Sequence, residues 1–181
     1  MLKTIIYDNR YKFILEGLFN TMIIALFAVI IGIIIGILIA LIRNNYDRNN
    51  KMKILNSIAK WYVDIIRGTP VVLQLMIIYY VIFKSVDVSV VLVGILAFGI
   101  NSGAYVAEII RAGIQSIPVG QTEAGYALGF KYIQIMRYII LPQAIKNVLP
   151  ALGNEFITLI KETSVGAYIG ILELTAKSSP S

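Results

Sequence analysis

The 181-residue sequence contains neither cysteine nor histidine. Without cysteine there are no disulfides and no thiol nucleophile, and without either residue there is no Cys/His zinc site. Imidazole acid–base catalysis and a Ser-His-Asp triad are excluded on the same ground. Charge is scarce as well: 14 % of residues are Asp, Glu, Lys or Arg, where a soluble domain carries about 25 %. Hydrophobic residues reach 58 % and the mean hydropathy is +0.80. Such a chain lacks the polar surface needed to enclose a soluble core.

What it has instead is long apolar sequence. Gly17 to Ile42 runs for 26 residues without a charge, and about 20 helical residues cross the hydrocarbon core of a bilayer. A secretory signal has an apolar region of only roughly 7–15 residues before a small-residue cleavage site. This run is longer and ends in Arg43-Asn44-Asn45, so it reads as a retained helix. A second run lies between Arg67 and Lys84 and extends back through Trp61, Tyr62 and Val63. A third covers Val88 to Ala107, and a fourth, interrupted by Lys146 and Glu155, covers about Tyr138 to Ile160. Spans are therefore expected at about 17–42, 61–83, 88–110 and 138–160, in one all-α polytopic membrane bundle over residues 1–181. Thr69-Pro70 is expected to bend the second span, because proline removes a backbone bond and the Thr hydroxyl helps satisfy the freed carbonyl. Gly32-x3-Gly36 reads as helix packing.

Sixteen Lys and Arg against ten Asp and Glu give a net charge of +6. Residues 43–60 hold Arg43, Arg48, Lys51, Lys53 and Lys60 with Asp47 as their single acid. The positive-inside rule puts that loop in the cytoplasm and the next one, near 84–87, outside. The N-terminus is then outside, the segment from about Glu108 to Arg137 inside, and residues after Ile160 outside again. The excess charge is thus a topology signal and not a nucleic-acid-binding stripe.

The cytoplasmic segment is the most informative. Pro118 and Gly120 break the third helix, Gln121 to Leu128 can form a short helix, and Gly129 would end it in a left-handed cap. A short helix at the membrane surface between two spans is a handle for a cytoplasmic partner. Glu123-Ala124-Gly125, Gly129 and Ile139-Ile140-Leu141-Pro142 fall at the spacing EAA-x3-G-x9-IxLP, with Gly125 in place of the second alanine. This resembles the EAA loop of the membrane subunits of bacterial ABC importers. RGTPVVLQL (Arg67 to Leu75), GNEFITLIKETS (Gly153 to Ser164) and the match of Gly99 to Ile109 to AINSxAYxAEIxRAGI are similar to the polar amino acid permease branch. The resemblance covers about Gly17 to Thr175 and implies a MetI-like permease core. It also implies a fifth core helix and a basic tail, which this sequence does not include. In that family the loop, here about 112–137, docks on the ATP-hydrolysing subunit. The coupling residues implied are Glu123, Ala124, Gly125, Gly129, Leu141 and Pro142.

Polar groups at membrane depth are costly and mark interior or water-filled paths. Gln74 lies about 14 Å below the outer surface, Glu155 about 18 Å up from the inner side, and Asn101 and Ser102 about 20 Å from the outer end of their run, at a rise of 1.5 Å per residue. Three helices thus offer polar groups at overlapping depths. One reading is a substrate path, since an amide, a hydroxyl and a carboxylate suit an amino acid. The other is interhelical hydrogen bonding. The path residues expected are Thr69, Gln74, Asn101, Ser102, Asn154, Glu155, Lys161 and Glu162; snorkelling also explains the last two. Arg67 is expected to pair with Asp64 at i, i+3.

No Gly-Lys-Ser/Thr follows a glycine four residues on, so this chain does not cradle nucleotide phosphates by a P-loop. It is expected to bind no cofactor and to catalyse nothing itself, with ATP-Mg on a partner subunit. The resemblance implies an ABC ATP-binding subunit, an extracytoplasmic solute-binding protein and a second permease copy or sister subunit. It implies an amino acid substrate and a place among the lipids of the bacterial plasma membrane, with no nucleic acid. The rival reading is a channel-like or scaffolding membrane protein whose loop binds a non-ATPase partner; it gives no reason for the spacing between Glu123 and Pro142.

Overall fold

The computed structural model describes the backbone of residues 10–84 and 88–177, and the side chains of residues 15–84 and 88–163. The centre of the outer loop expected at 84–87 and the chain end after Lys177 lie outside the described residues. Among those described there is only helix and connecting turn.

Helix α1 spans Arg10–Asn49 and α2 spans Lys53–Gly68, joined by a tight turn in which Asn50 and Met52 have positive φ. Helix α3, Val71–Ile77, runs on into a π-helical turn at Ile78–Ile82. Helix α4 is Val90–Gln115, with the Ser89 hydroxyl capping Leu92 N–H at 3.3 Å. A short helix α5, Val119–Ala127, is followed by α6, Tyr132–Ile135, a second π-helical turn at Met136–Ile140, and α7, Leu141–Lys177.

Among the described residues, two helical stretches are long and apolar enough to cross a membrane, Leu15–Asn49 and Val90–Gln115. The expected run at 17–42 lies on the first, and that at 88–110 lies on the second from Val90 onward. The run at 61–83 is divided: α2 and the helix through Ile82 meet at 109°, and count as a third span only if the bent pair is taken as one. Thr69-Pro70 thus makes a corner, not a kink. Proline pushes the residue before it out of the helical region, and Thr69 is extended, with φ −120° and ψ 146°. The run at 138–160 straddles the second π turn and α7. Its length suffices, but Lys146, Asn147, Asn154 and Glu155 keep it outside the apolar class of the other two.

Burial in a bilayer gives helices little hydrophobic reason to associate, so close packing of small side chains has to hold them together. The closest crossing is α1 on α4. A Cβ at Gly32 would lie 2.7 Å from the Ser102 hydroxyl, and one at Gly36 would lie 2.7 Å from Val106 Cβ and 2.9 Å from the Ala107 backbone nitrogen. The packing role expected of this glycine pair is what the crossing requires. Two apolar clusters flank it. One joins Ala25 and Ala28 of α1, Leu75 of α3, Ala97 and Phe98 of α4, and Leu159 of α7. The other, nearer the α1–α2 turn, joins Ile39, Ala59, Val63, Ala104 and Ala107. Four of the six in the first and three of the five in the second lie on α1 and α4, so this helix pair is the frame on which the rest is hung.

Candidate functional site

The corner at Thr69-Pro70 leaves the last carbonyls of α2 without helical partners. Gln74, nearly one turn into α3, folds back to supply them. Its amide nitrogen donates to Ile66 O at 2.8 Å, Thr69 O at 3.1 Å and Thr69 Oγ1 at 2.7 Å. The Thr69 hydroxyl donates in turn to Ile65 O at 2.8 Å; the carbonyl that Pro70 itself frees, Ile66 O, is satisfied by Gln74 and not by the Thr69 hydroxyl expected for it. The Gln74 carbonyl oxygen then accepts from Asn101 Nδ2 of α4 at 3.0 Å. Thr69, Gln74 and Asn101 are therefore one hydrogen-bonded chain that fixes the corner and ties it to α4.

Ser102, next to Asn101, is fully buried, and its hydroxyl makes no hydrogen bond. It faces the Glu155 carboxyl of α7 without closing a bond to it. Glu155 is half-buried, and Glu162 is close enough to act on it electrostatically. Asn154 and Lys161 are exposed and stand outside this set. Of the eight expected path residues, the fold thus links three in one chain and sets two more face to face, while Glu162 touches the group only through its charge.

The short helix α5 has a different construction. Glu123 and Ala124 are exposed on α5, whereas Gly125 is buried against α6. A Cβ at Gly125 would lie 2.7 Å from Cγ1 and 2.9 Å from Cδ1 of Ile135, which is itself fully buried. That contact accounts for glycine where the importer pattern has alanine. The helix ends as expected: Gly129 has φ +80°, Phe130 N–H donates to Gly125 O at 3.0 Å and Gly129 N–H to Tyr126 O at 2.9 Å. This pair of bonds is a Schellman cap, which needs a left-handed residue at that position. Leu141 and Pro142 are exposed at the start of α7. Pro142 follows directly on the π turn, where Leu141 N–H bonds Met136 O five residues back. A widened turn accommodates a residue that lacks an N–H and whose ring crowds the preceding turn.

Sequence reasoning missed the side chains that fasten α5. Gln121 and Gln143 exchange amide hydrogen bonds across 22 residues, Gln143 also donates to Ile139 O at 2.8 Å, and Asn147 donates to the Ser116 hydroxyl at 2.8 Å. Both ends of the α4–α5 connection are thereby held to α7. A glutamine spaced 22 residues from another carries no periodic signal, so nothing short of the fold marks the pair. Also missed was Glu108, whose carboxylate meets Arg43 of α1, Arg111 one turn further along α4, and Arg67 of α2. The expected Asp64–Arg67 pair is corrected here. The corner carries Arg67 toward α4, where it lies 3.9 Å from Glu108 and stacks over Tyr105, while Asp64 is exposed.

Residues 32–178 match the family described as the binding-protein-dependent transport system inner membrane component. A putative glutamine transport system permease protein of Rickettsia typhi is 43 % identical over 181 residues, covering 98 % of this chain and 81 % of that protein. An arginine transport system permease protein of Bacillus subtilis is 44 % identical over 164 residues, covering 90 % and 73 %. Among solved structures, an amino acid ABC transporter crystallised with histidines superposes with a TM-score of 0.81 at 42 % identity, over 90 % of this chain and 74 % of that one. An inward-facing form of the MetNI methionine ABC transporter matches in fold, with a TM-score of 0.72 at 21 % identity, over 90 % and 76 %.

Proposed function

We propose that this chain, which belongs to the binding-protein-dependent transport system inner membrane component family, is the permease of an ATP-driven amino acid importer. It lines the path and receives the work of a separate ATPase through α5. The observation that carries the reading is the fastening of α5. A helix with Glu123 and Ala124 exposed on its outer face is sealed on its inner face by Gly125 against Ile135, and is tied to α7 by Gln121 and Gln143. A docking surface built this way moves α4 and α7 when it is moved, and these two helices carry Ser102 and Glu155.

ATP and Mg bind on that separate subunit, and this chain supplies no catalytic group. An extracytoplasmic solute-binding protein delivers the substrate, and a second permease copy completes the path across the bacterial inner membrane, with the N-terminus outside. The relatives named for glutamine and arginine support a polar amino acid as substrate. Glu155, half-buried, is the group left open to it: Thr69 and Gln74 spend their hydrogen bonds on the corner, Asn101 gives an N–H to Gln74, and the Ser102 hydroxyl is buried against Gly32. Asn154, Lys161 and Glu162 belong to the outer stretch of the path. ATP-driven movement of α5 then alternates access from side to side.

The test is co-purification of the assembled complex and its substrate-stimulated ATPase activity. Glu123→Lys should leave membrane insertion intact and abolish the stimulation, and removal of residues 120–129 should abolish retention of the ATPase. Unchanged stimulation by Glu123→Lys would remove Glu123 from coupling. Retention without 120–129 would refute the docking role of α5.

A further inference from the structure

The polar chain at Gln74 accounts for how the corner is held, but not for how the cytoplasmic ends of α1, α2 and α4 are held together against a moving α5. Glu108 stands at that junction, two turns before α4 ends at Gln115. Arg111 grips it in a fork, Nε to one carboxylate oxygen and Nη2 to the other, both at 3.3 Å. This pins the carboxylate rotamer from its own helix. Arg43 reaches the same carboxylate from α1, and Arg67 approaches it from the end of α2, two residues before the corner. The Arg43 and Glu108 side chains are only 15 % and 21 % exposed, so solvent screens the pair far less than a surface pair. Three guanidiniums from three helices thus converge on one carboxylate. Without it they would face one another as unpaired like charges.

We propose that Glu108 is a positioning residue for transport. By clamping Arg43 and Arg67 to α4, it makes the cytoplasmic ends of α1, α2 and α4 move as one body, so displacement of α5 is delivered to the corner at Thr69-Pro70. This rests on the transporter reading above. Glu108 touches no substrate; it acts through the arginines. Its loss therefore separates hydrolysis from transport, leaving basal ATPase activity in place while the amount of substrate moved per ATP falls.

The experiment uses the assembled complex in proteoliposomes, with three forms of this chain: wild type, Glu108→Gln, and the exchange Arg43→Glu with Glu108→Arg. The exchange keeps one carboxylate among three guanidiniums. Two readouts are taken: substrate transported per ATP, and the separation of spin labels at Asn49→Cys and Gln115→Cys, which the cysteine-free sequence allows. Glu108→Gln should lower the transport ratio at least five-fold, keep basal ATPase within two-fold, and lengthen or broaden the label distance. The exchange should restore both. A wild-type ratio and distance in Glu108→Gln overturns the proposal, as does an exchange variant no better than Glu108→Gln when both assemble. If Glu108→Gln fails to reach the membrane, the exchange decides alone, and it must assemble and transport. A wild-type complex without ATP-driven uptake counts against the transporter reading instead, and the label distances still decide the clamp.

Discussion

Replacing Gly125 by alanine would bring the loop closer to the pattern it resembles, yet the structure predicts a loss. The added Cβ would lie 2.7 Å from Ile135 Cγ1, 2.9 Å from Cδ1 and 3.4 Å from Cγ2, where carbon pairs prefer about 3.5–4.0 Å. Only Cδ1 can swing aside. Cγ1 and Cγ2 are fixed by χ1, which is stiff in a β-branched residue, and Ile135 is fully buried with nowhere to rotate. Relief therefore requires α5 to retreat by about 1 Å, an overpacking cost of roughly 1–3 kcal/mol. Helix propensity returns about 1 kcal/mol on going from glycine to alanine. The net is about 1 kcal/mol against the docked position of α5, or roughly five-fold in a population. Retention of the ATPase, titrated on the detergent-solubilised complex, should weaken by that factor. Ile135→Val keeps both γ carbons and should not rescue it. On an Ile135→Ala background the sign should reverse, because the new methyl group then fills space that the truncation emptied. Wild-type retention in Gly125→Ala, or equal rescue by Ile135→Val and Ile135→Ala, would refute this account of the glycine.

Gln74→Leu removes the cap of α2 and orphans Asn101 in one step. Each unmet buried group costs about 1–3 kcal/mol, so thermal unfolding in detergent should shift down by several degrees; an unchanged midpoint would mean that water replaces the amide at no cost. Gly36→Ala sets a Cβ 2.7 Å from Val106 Cβ and 2.9 Å from backbone, and should cost about 2 kcal/mol net by the same overpacking and propensity terms. Val106→Ala should not rescue it, since the Cβ and the backbone remain, and Gly153→Ala, with nothing within 4 Å, is the control that should unfold no earlier than wild type.

How much of this was legible follows from the range of the interactions involved. The all-helical membrane class and the short helix ending at Gly129 rest on composition and on local turn chemistry, and both can be read along the chain. The bend at Thr69-Pro70 was legible in kind but not in size, because proline dictates where a helix stops and packing dictates where the next one points. Gln74 illustrates the consequence. Read by depth it is a polar group near the midplane, equally suited to substrate or to a neighbouring helix. A 109° corner folds it back over Ile66 and Thr69, and its amide bonds both the preceding helix and Asn101. Arg67 went the other way. A local partner, Asp64, stands at the favourable i, i+3 spacing, but such exposed pairs contribute well under 1 kcal/mol. The carboxylate of Glu108, shielded and already oriented by Arg111, outcompetes it once α2 crosses α4. Sequence spacing therefore ranks candidates correctly only where the competing partner is equally local. At a helix corner the winner is whichever group the corner presents, so the residues flanking Pro70 are where reading along the chain was bound to give way to the fold.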